Sequence, residues 1–249
     1  MKSIYTFLFC ALFTFSAIAQ KDIIKTSKGE VIMTPIYHST TVLQWNGKTI
    51  YMDPYGGAER FESFNKPDIV CITHPHGDHL DKSTLKDLDL SNTIAIVPES
   101  VASEMDKSMF KEVKVIPNDE SINLMGVSIK AFPMYNLPND ESARHKKGWG
   151  NAYILTIEGT TFYFSGDTED IPEMRKLADI DYAFICMNLP YTMTVEKAAD
   201  AVIEFGPDVV YPFHFRGKDG FSDVEKFKEL VNAGNADVEV RLRDWYPEK

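Results

Sequence analysis

Half of the chain's 6 histidines fall in one short segment, Thr73-His74-Pro75-His76-Gly77-Asp78-His79. A fold that carries this segment has to hold it still and bring further ligands to it from distant positions. Imidazole is a good neutral ligand for zinc and related divalent ions, and a carboxylate completes such a site. The alternate positions His74 and His76 can converge on one ion from a tight loop. Asp78 and His79 can turn to a second, and Gly77 permits a close backbone approach. The segment follows directly on residues 68–72, Asp-Ile-Val-Cys-Ile, a continuous apolar run suited to a strand buried on both faces. The ligands therefore sit on a loop carried by a rigid element.

One loop does not complete two metal sites, so the remaining ligands must come from strand ends elsewhere. Asp167, in Phe164-Ser-Gly-Asp-Thr168, stands just after a β-rich run at a glycine turn. His214 follows the apolar run 209–213. Around these positions the pattern mixes hairpins with α/β alternation. Strands are predicted at 31–36, 41–45, 49–52, 93–97, 111–116, 121–124, 127–132, 151–157, 160–164, 182–186 and 238–242, with two-residue turns at Asn46-Gly47 and Glu158-Gly159. Helices are predicted at 98–105, 171–177, 194–205 and 222–231. Two sheets packed face to face with helices outside accommodate this order in one domain.

Composition narrows the function. The chain has 249 residues, 44% hydrophobic and 25% charged, which suits a soluble globular protein with a sizeable core. Its net charge of -11 repels phosphate backbones and excludes general nucleic-acid binding. Lys2, the apolar stretch 4–15 and the small residues Ala17 and Ala19 read as a secretory signal cut before Gln20. Phe9 before Cys10 argues against lipidation. The predicted organisation is thus a signal peptide over 1–19 and a hydrolase domain over 20–249. The mature protein is expected to be exported, periplasmic or extracellular, with no membrane attachment after cleavage. Cys71 and Cys186 lie in apolar runs and read as buried free thiols. The expected partner is a small-molecule substrate; the sequence sets no oligomeric state.

Taken together, the His-x-His-x-Asp-His loop, then Gly166-Asp167-Thr168, then His214 resemble the metallo-β-lactamase superfamily, in the right order and over nearly the whole mature chain. The resemblance implies an α/β fold, a four-layer αβ/βα sandwich of two mixed sheets with helices outside and the metals at one edge of the sheets. It implies His74 and His76 on the first metal, Asp78, His79 and His214 on the second, and Asp167 bridging. Ile36-Tyr-His38, the stretch from Trp45 to Asp53-Pro54, residues 166–174 and residues 191–198 resemble in particular the ascorbate-6-phosphate lactonase-like hydrolases. One departure stands out. The superfamily usually has a third histidine for the first metal on a strand end between the histidine loop and Gly166, and here Asn136 stands in its place. His145, on the loop that follows, is the alternative ligand; without it the first site is weak.

The expected cofactor is a divalent metal, zinc first, with manganese or iron as the other ions this donor set accepts, at one or two ions per chain. The expected chemistry is hydrolysis of a small ester, lactone or phosphoester by metal-bound hydroxide, with Asp78 as the catalytic carboxylate and His38 as a neighbouring contact. Arg216, Lys218, Lys146 and Lys147 follow His214 and His145 and could bind an anionic substrate, though basic residues on loops are more often only solvated. Two other readings compete: a non-catalytic secreted metal- or ligand-binding protein, which Asn136 favours, and a true β-lactamase, which Cys186 would have to serve as a ligand.

Overall fold

The computed structural model describes residues 20–247; the predicted signal peptide lies outside the described residues. The first half of the chain gives strands β1 (Asp22–Thr26), β2 (Gly29–Tyr37), β3 (Thr40–Trp45), β4 (Lys48–Met52), β5 (Ile69–Cys71), β6 (Ile94–Val97) and β7 (Glu112–Val115), with helices α1 (Lys82–Asp87) and α2 (Glu99–Glu104). The second half gives β8 (Ser121–Leu124), β9 (Val127–Met134), β10 (Gly150–Ile157), β11 (Thr160–Phe164), β12 (Tyr182–Cys186), β13 (Val209–Phe213), the short pair β14 (Arg216–Gly217) and β15 (Gly220–Phe221), and β16 (Glu239–Val240). Its helices are α3 (Pro172–Arg175), α4 (Val195–Phe205) and α5 (Val224–Gly234). Among the described residues no helix is long and apolar enough to cross a membrane.

The strands form two 7-stranded sheets, ordered β1-β2-β3-β4-β5-β6-β7 and β16-β13-β12-β11-β10-β9-β8. Each sheet begins as an antiparallel meander, through β4 in the first and β11 in the second, and continues in parallel. The meanders turn on residue pairs whose φ values are both positive, Asn46-Gly47, Met125-Gly126 and Glu158-Gly159. Tight two-residue hairpins need that backbone, because its twist matches that of the flanking strands.

The period-2 alternation of the strands sorts the core into layers. Leu43, Ile50, Ile69, Cys71, Ile94 and Ile96 point from the first sheet towards the second. Their neighbours Val42, Tyr51, Val70, Ala95 and Val97 point the other way, onto Leu85 of α1 and Val101 and Ala102 of α2. On the far side, Ala198, Ala201 and Val202 of α4 and Phe227 and Val231 of α5 cover the second sheet. Each fully buried aliphatic side chain contributes about 1.5–3 kcal/mol, so the four-layer order is the arrangement that buries both faces of both sheets. α4 starts at Thr194, whose side chain accepts from the Lys197 amide, and stops at Gly206 in the left-handed conformation. Cys71 and Cys186 are buried and unpaired.

The edge that matters is where strands end. His38 follows β2, Asp53 follows β4, the histidine loop follows β5, Asn136 follows β9, Asp167 follows β11, Asn188 follows β12 and His214 follows β13. Seven strand ends thus deliver polar side chains to one rim of the sandwich. His38, Asp53 and His214 have φ of 61, 43 and 45. Buried non-glycine residues in that region cost of order 1–3 kcal/mol each unless the surroundings hold them. The backbone amide of His38 donates to the Trp245 carbonyl at 3.1 Å, that of Asp53 to Cys71 at 2.9 Å and that of His214 to His38 at 3.1 Å.

Candidate metal centre

Asp53 is the acceptor on which the site is built. Its carboxylate is buried and takes three hydrogen bonds: the Thr73 amide at 2.7 Å, the Thr73 hydroxyl at 2.8 Å and His79 Nδ1 at 2.7 Å. Because a carboxylate only accepts, His79 carries its proton on Nδ1 and turns a bare Nε2 inwards. The Thr73 hydroxyl spends its proton on Asp53, so it can only accept from His74 Nδ1 at 3.0 Å, which leaves His74 Nε2 bare as well.

Asn136 does the same for His145. Its Nδ2 donates to the Tyr191 carbonyl at 2.9 Å and to Glu169 at 3.3 Å, which fixes Oδ1 as the group facing His145. Oδ1 then accepts from the His145 amide at 2.8 Å and from Nδ1 at 2.9 Å. His145 Nε2 is therefore bare and lies 3.1 Å from His76 Nδ1, which is itself 3.0 Å from His74 Nε2. The asparagine at the expected histidine position thus orients the histidine 9 residues later.

The ligand atoms fall into groups. His74, His76 and His145 form one, His74, His79 and Asp167 a second, and His38, Asp78 and His214 a third, the atoms of each lying within 4.8 Å of one another. Asp167 stands between them. Its Oδ2 is 3.9 Å from His74 Nε2 and 3.6 Å from His145 Nε2, while Oδ1 is 3.3 Å from His79 Nε2 and 3.1 Å from His214 Nε2. All seven sequence-predicted site residues, His74, His76, Asp78, His79, Asp167, His214 and His145, meet at this rim.

A divalent ion fits the donor set. Two imidazole nitrogens at ~2.05 Å from one tetrahedral ion stand about 3.3 Å apart, close to the 3.0 and 3.1 Å separations in the first group. Asp167 Oδ1 is fully buried yet makes no hydrogen bond, although two imidazole nitrogens lie beside it. Such an orphaned anionic oxygen is costly unless a cation takes it. Burial opposes a charge on His79, but the carboxylates of Asp167, Asp53 and Asp78 outweigh it and raise its proton affinity well above the ordinary imidazole range. The pocket thus calls for positive charge. Four other imidazoles are disfavoured from carrying charge, which suits nitrogens that must be neutral to ligate. Burial pulls His74 well below its usual value and lowers His76, and it brings His145 and His38 to about 4.

Asp78 is more open than its neighbours, its side chain 36% exposed, with Oδ2 3.1 Å from His38 Nε2 and 3.6 Å from His214 Nε2. Burial alone would raise its pKa; His79, His38 and His214 hold it below the usual carboxylate range. Trp149 packs beside His76 and His74, with ring centroids 5.0 and 5.8 Å apart, and walls the first group. The Cys186 thiol donates to the Thr168 carbonyl, and burial pushes it up to about 12, so it stays protonated. Of the predicted cations, Lys146 pairs with Glu141, Lys147 pairs with Glu173, and Arg216 lies between the rings of Tyr37 and Tyr246.

Sequence reasoning missed the roles of Asp53, Thr73, Asn188 and Tyr246. Asn188 Nδ2 lies 3.1 Å from His214 Nε2 and 3.4 Å from Asp167 Oδ2. The Asp53-Pro54 pair after a strand was the one visible signal among these.

A family profile described as Beta-lactamase superfamily domain matches residues 33–214. A UPF0173 metal-dependent hydrolase of Staphylococcus carnosus is 28% identical over 80% of this chain and 92% of its own length. Another of that name, from Pyrococcus horikoshii, is 30% identical over 74% of this chain and 85% of its own. A solved structure from Parabacteroides distasonis is similar with a TM-score of 0.80 and 36% identity, covering 91% of this chain and 99% of the other.

Proposed function

Because this chain belongs to the beta-lactamase superfamily and is a metal-dependent hydrolase, we propose that it cleaves a small ester, lactone or phosphoester at a two-ion centre. Zinc is the first choice of ion. The observation that carries this reading is Asp167, whose two carboxylate oxygens face two separate histidine groups. His74, His76 and His145 would hold one ion, and Asp78, His79 and His214 the other, with Asp167 between.

A divalent ion there supplies a nucleophile at neutral pH, by making water more acidic, and polarises the acyl or phosphoryl oxygen of the substrate. The rest is the work of the chain. Asp53, Thr73 and Asn136 fix the imidazoles so that bare nitrogens point inwards. Asp78, ionised and open to the mouth, takes the proton from the attacking water and passes it to the leaving oxygen. Trp149 shields one side from bulk water.

Arg144 refines the substrate class. Its guanidinium lies 4.5 Å from the centre of the Tyr191 ring, next in sequence to His145, and no carboxylate among the described residues pairs with it. An exposed cation so placed favours a substrate that carries a carboxylate or phosphate besides the bond to be cut. The non-catalytic alternative rests on Asn136, and Asn136 is engaged in holding His145. The β-lactamase alternative gains nothing from Cys186, whose thiol stays protonated. Export remains part of the proposal, supported by the leader-like pattern of residues 1–19; a mature N-terminus other than Gln20 would count against that cleavage site.

The test is a panel of chromogenic aryl esters, lactones and phosphodiesters on protein loaded with zinc, manganese or iron. Turnover that disappears on chelation and in Asp78→Ala supports the reading. Inactivity across the whole loaded panel, or full activity of a folded Asp78→Ala variant, refutes it.

A further inference from the structure

His38, Asp78 and His214 place their donor atoms close enough to suggest a third cation position, but proton bookkeeping around His38 argues otherwise. Tyr246 is buried, and its hydroxyl oxygen accepts the backbone N–H of Arg216 at 3.1 Å. The same oxygen lies 2.9 Å from His38 Nδ1. On the other side of the ring, His38 Nε2 is 3.1 Å from Asp78 Oδ2. A carboxylate oxygen only accepts, so the contact to Asp78 is a hydrogen bond only if Nε2 carries the proton. Nδ1 of the neutral ring is then the acceptor, and the Tyr246 hydroxyl supplies the proton to it.

The polarity runs one way throughout: Arg216 N–H to Tyr246 O, Tyr246 O–H to His38 Nδ1, His38 Nε2–H to Asp78. This is the reverse of His79 and His145, whose protons sit on Nδ1 and whose inward nitrogens are bare. His74, His79 and His145 are thus prepared to hold a cation, and His38 is prepared to hold a carboxylate. The backbone fixes the ring in this role, since the amide of His38 is tied to the Trp245 carbonyl and its carbonyl takes the His214 amide.

We propose that Tyr246 and His38 form a positioning relay that holds the Asp78 carboxylate from behind and that His38 is not a metal ligand. The relay rests on the hydrolytic reading of the site. With Oδ2 held by His38, Asp78 turns Oδ1 towards the centre in one orientation rather than several.

The test compares zinc-loaded wild type with Tyr246→Phe, His38→Gln and His38→Leu. Nitrogen-15 NMR of the imidazoles should show His38 protonated on Nε2 in the wild type and a mixture of tautomers in Tyr246→Phe. Elemental analysis should give unchanged zinc in all three variants. With the best substrate of the panel, kcat of Tyr246→Phe should fall by roughly 10–100-fold, the usual effect of removing a hydrogen-bond partner behind a metal-site residue, with KM within about 2-fold. His38→Gln keeps an N–H donor for Asp78 and should recover part of the activity that His38→Leu loses. A proton on Nδ1 of His38 in the wild type overturns the relay, as does loss of an ion in His38→Gln or an undiminished kcat in Tyr246→Phe. If the wild type hydrolyses nothing, the functional reading fails, while tautomer and zinc content still decide the relay.

Discussion

Replacing Asp53 by asparagine changes one atom in the buried heart of the site and should weaken metal binding without filling or emptying space. Asp53 Oδ1 accepts the Thr73 amide, and Oδ2 accepts both the Thr73 hydroxyl and His79 Nδ1. In asparagine one of these oxygens becomes an NH2 group, a donor. If the NH2 faces the Thr73 amide, two donors meet at 2.7 Å. If it faces His79, the imidazole must give up its Nδ1 proton, and the proton then sits on Nε2, where a bare nitrogen is needed. The first orientation sets two buried donors against each other, at about 1–3 kcal/mol; the second puts a proton on the nitrogen that should hold the ion. For ligand orientation the expected loss is about 10–100-fold in metal affinity, or roughly 1.4–2.8 kcal/mol. Competition with a chromogenic chelator measures it directly, and thermal melting of the metal-free protein separates lost stability from lost affinity. Wild-type zinc affinity in a folded Asp53→Asn protein would refute the assignment of Asp53 as the acceptor that sets the tautomer of His79.

Other outcomes follow from the same geometry. His145→Ala should lower the metal content by one ion per chain while the fold persists, because His145 Nε2 completes the group with His74 and His76; unchanged stoichiometry would remove His145 from the ligand set. Gly166→Ala should cost about 1–3 kcal/mol in urea unfolding, since φ is +55 there and the added Cβ would lie 2.7 Å from Met134 Sδ; a neutral substitution would show that the turn relaxes freely. The metal-free protein should lose stability as pH falls from about 6.5 to about 4. His38 and His145 have folded values of about 4 against an ordinary 6.5, and His74 and His76 are also lowered, so the unfolded chain binds more protons in that window. His79 is raised, so its contribution is already fully present in this window and is lost only as pH rises above 6.5 towards its folded value. A melting temperature that rises on acidification through the window would contradict the sign.

The histidine loop was legible because its four ligands are neighbours in sequence and need no tertiary knowledge to be grouped. Asp167 and His214 were legible as strand-end residues once the apolar runs before them were recognised. His145 was left open, and for a physical reason: it lies on an irregular loop after β9, where no periodicity says which way a side chain points. Asn136 looked like a gap because an amide is a poor ligand, and its use as a hydrogen-bond acceptor depends on Tyr191 and Glu169, which are distant in the chain. Tyr246 carried no pattern at all. Among the elements, β1 went unpredicted because only Ile24 of its residues is buried, and α1 because it buries only Thr84 and Leu85, too few to show a helical period. The strands with two buried faces were predicted well, since burial writes itself directly into their composition.

The two sheets divide the chain cleanly, one taking its strands from residues 22–115 and the other from 121–240. The proposed ligands straddle that division: His74 and His76 with His145, Asp78 and His79 with His214, and Asp167 facing His74 and His79. A bound ion therefore acts as a clasp across a seam, and its affinity is linked to how firmly the two lobes adhere. At a free concentration of roughly 100 times Kd, an ion that needs both lobes adds about 2.7 kcal/mol to their adhesion. Chelation would then loosen the seam before it disturbs either sheet, and a chain severed between residues 116 and 120 would reassemble more readily with zinc than without it.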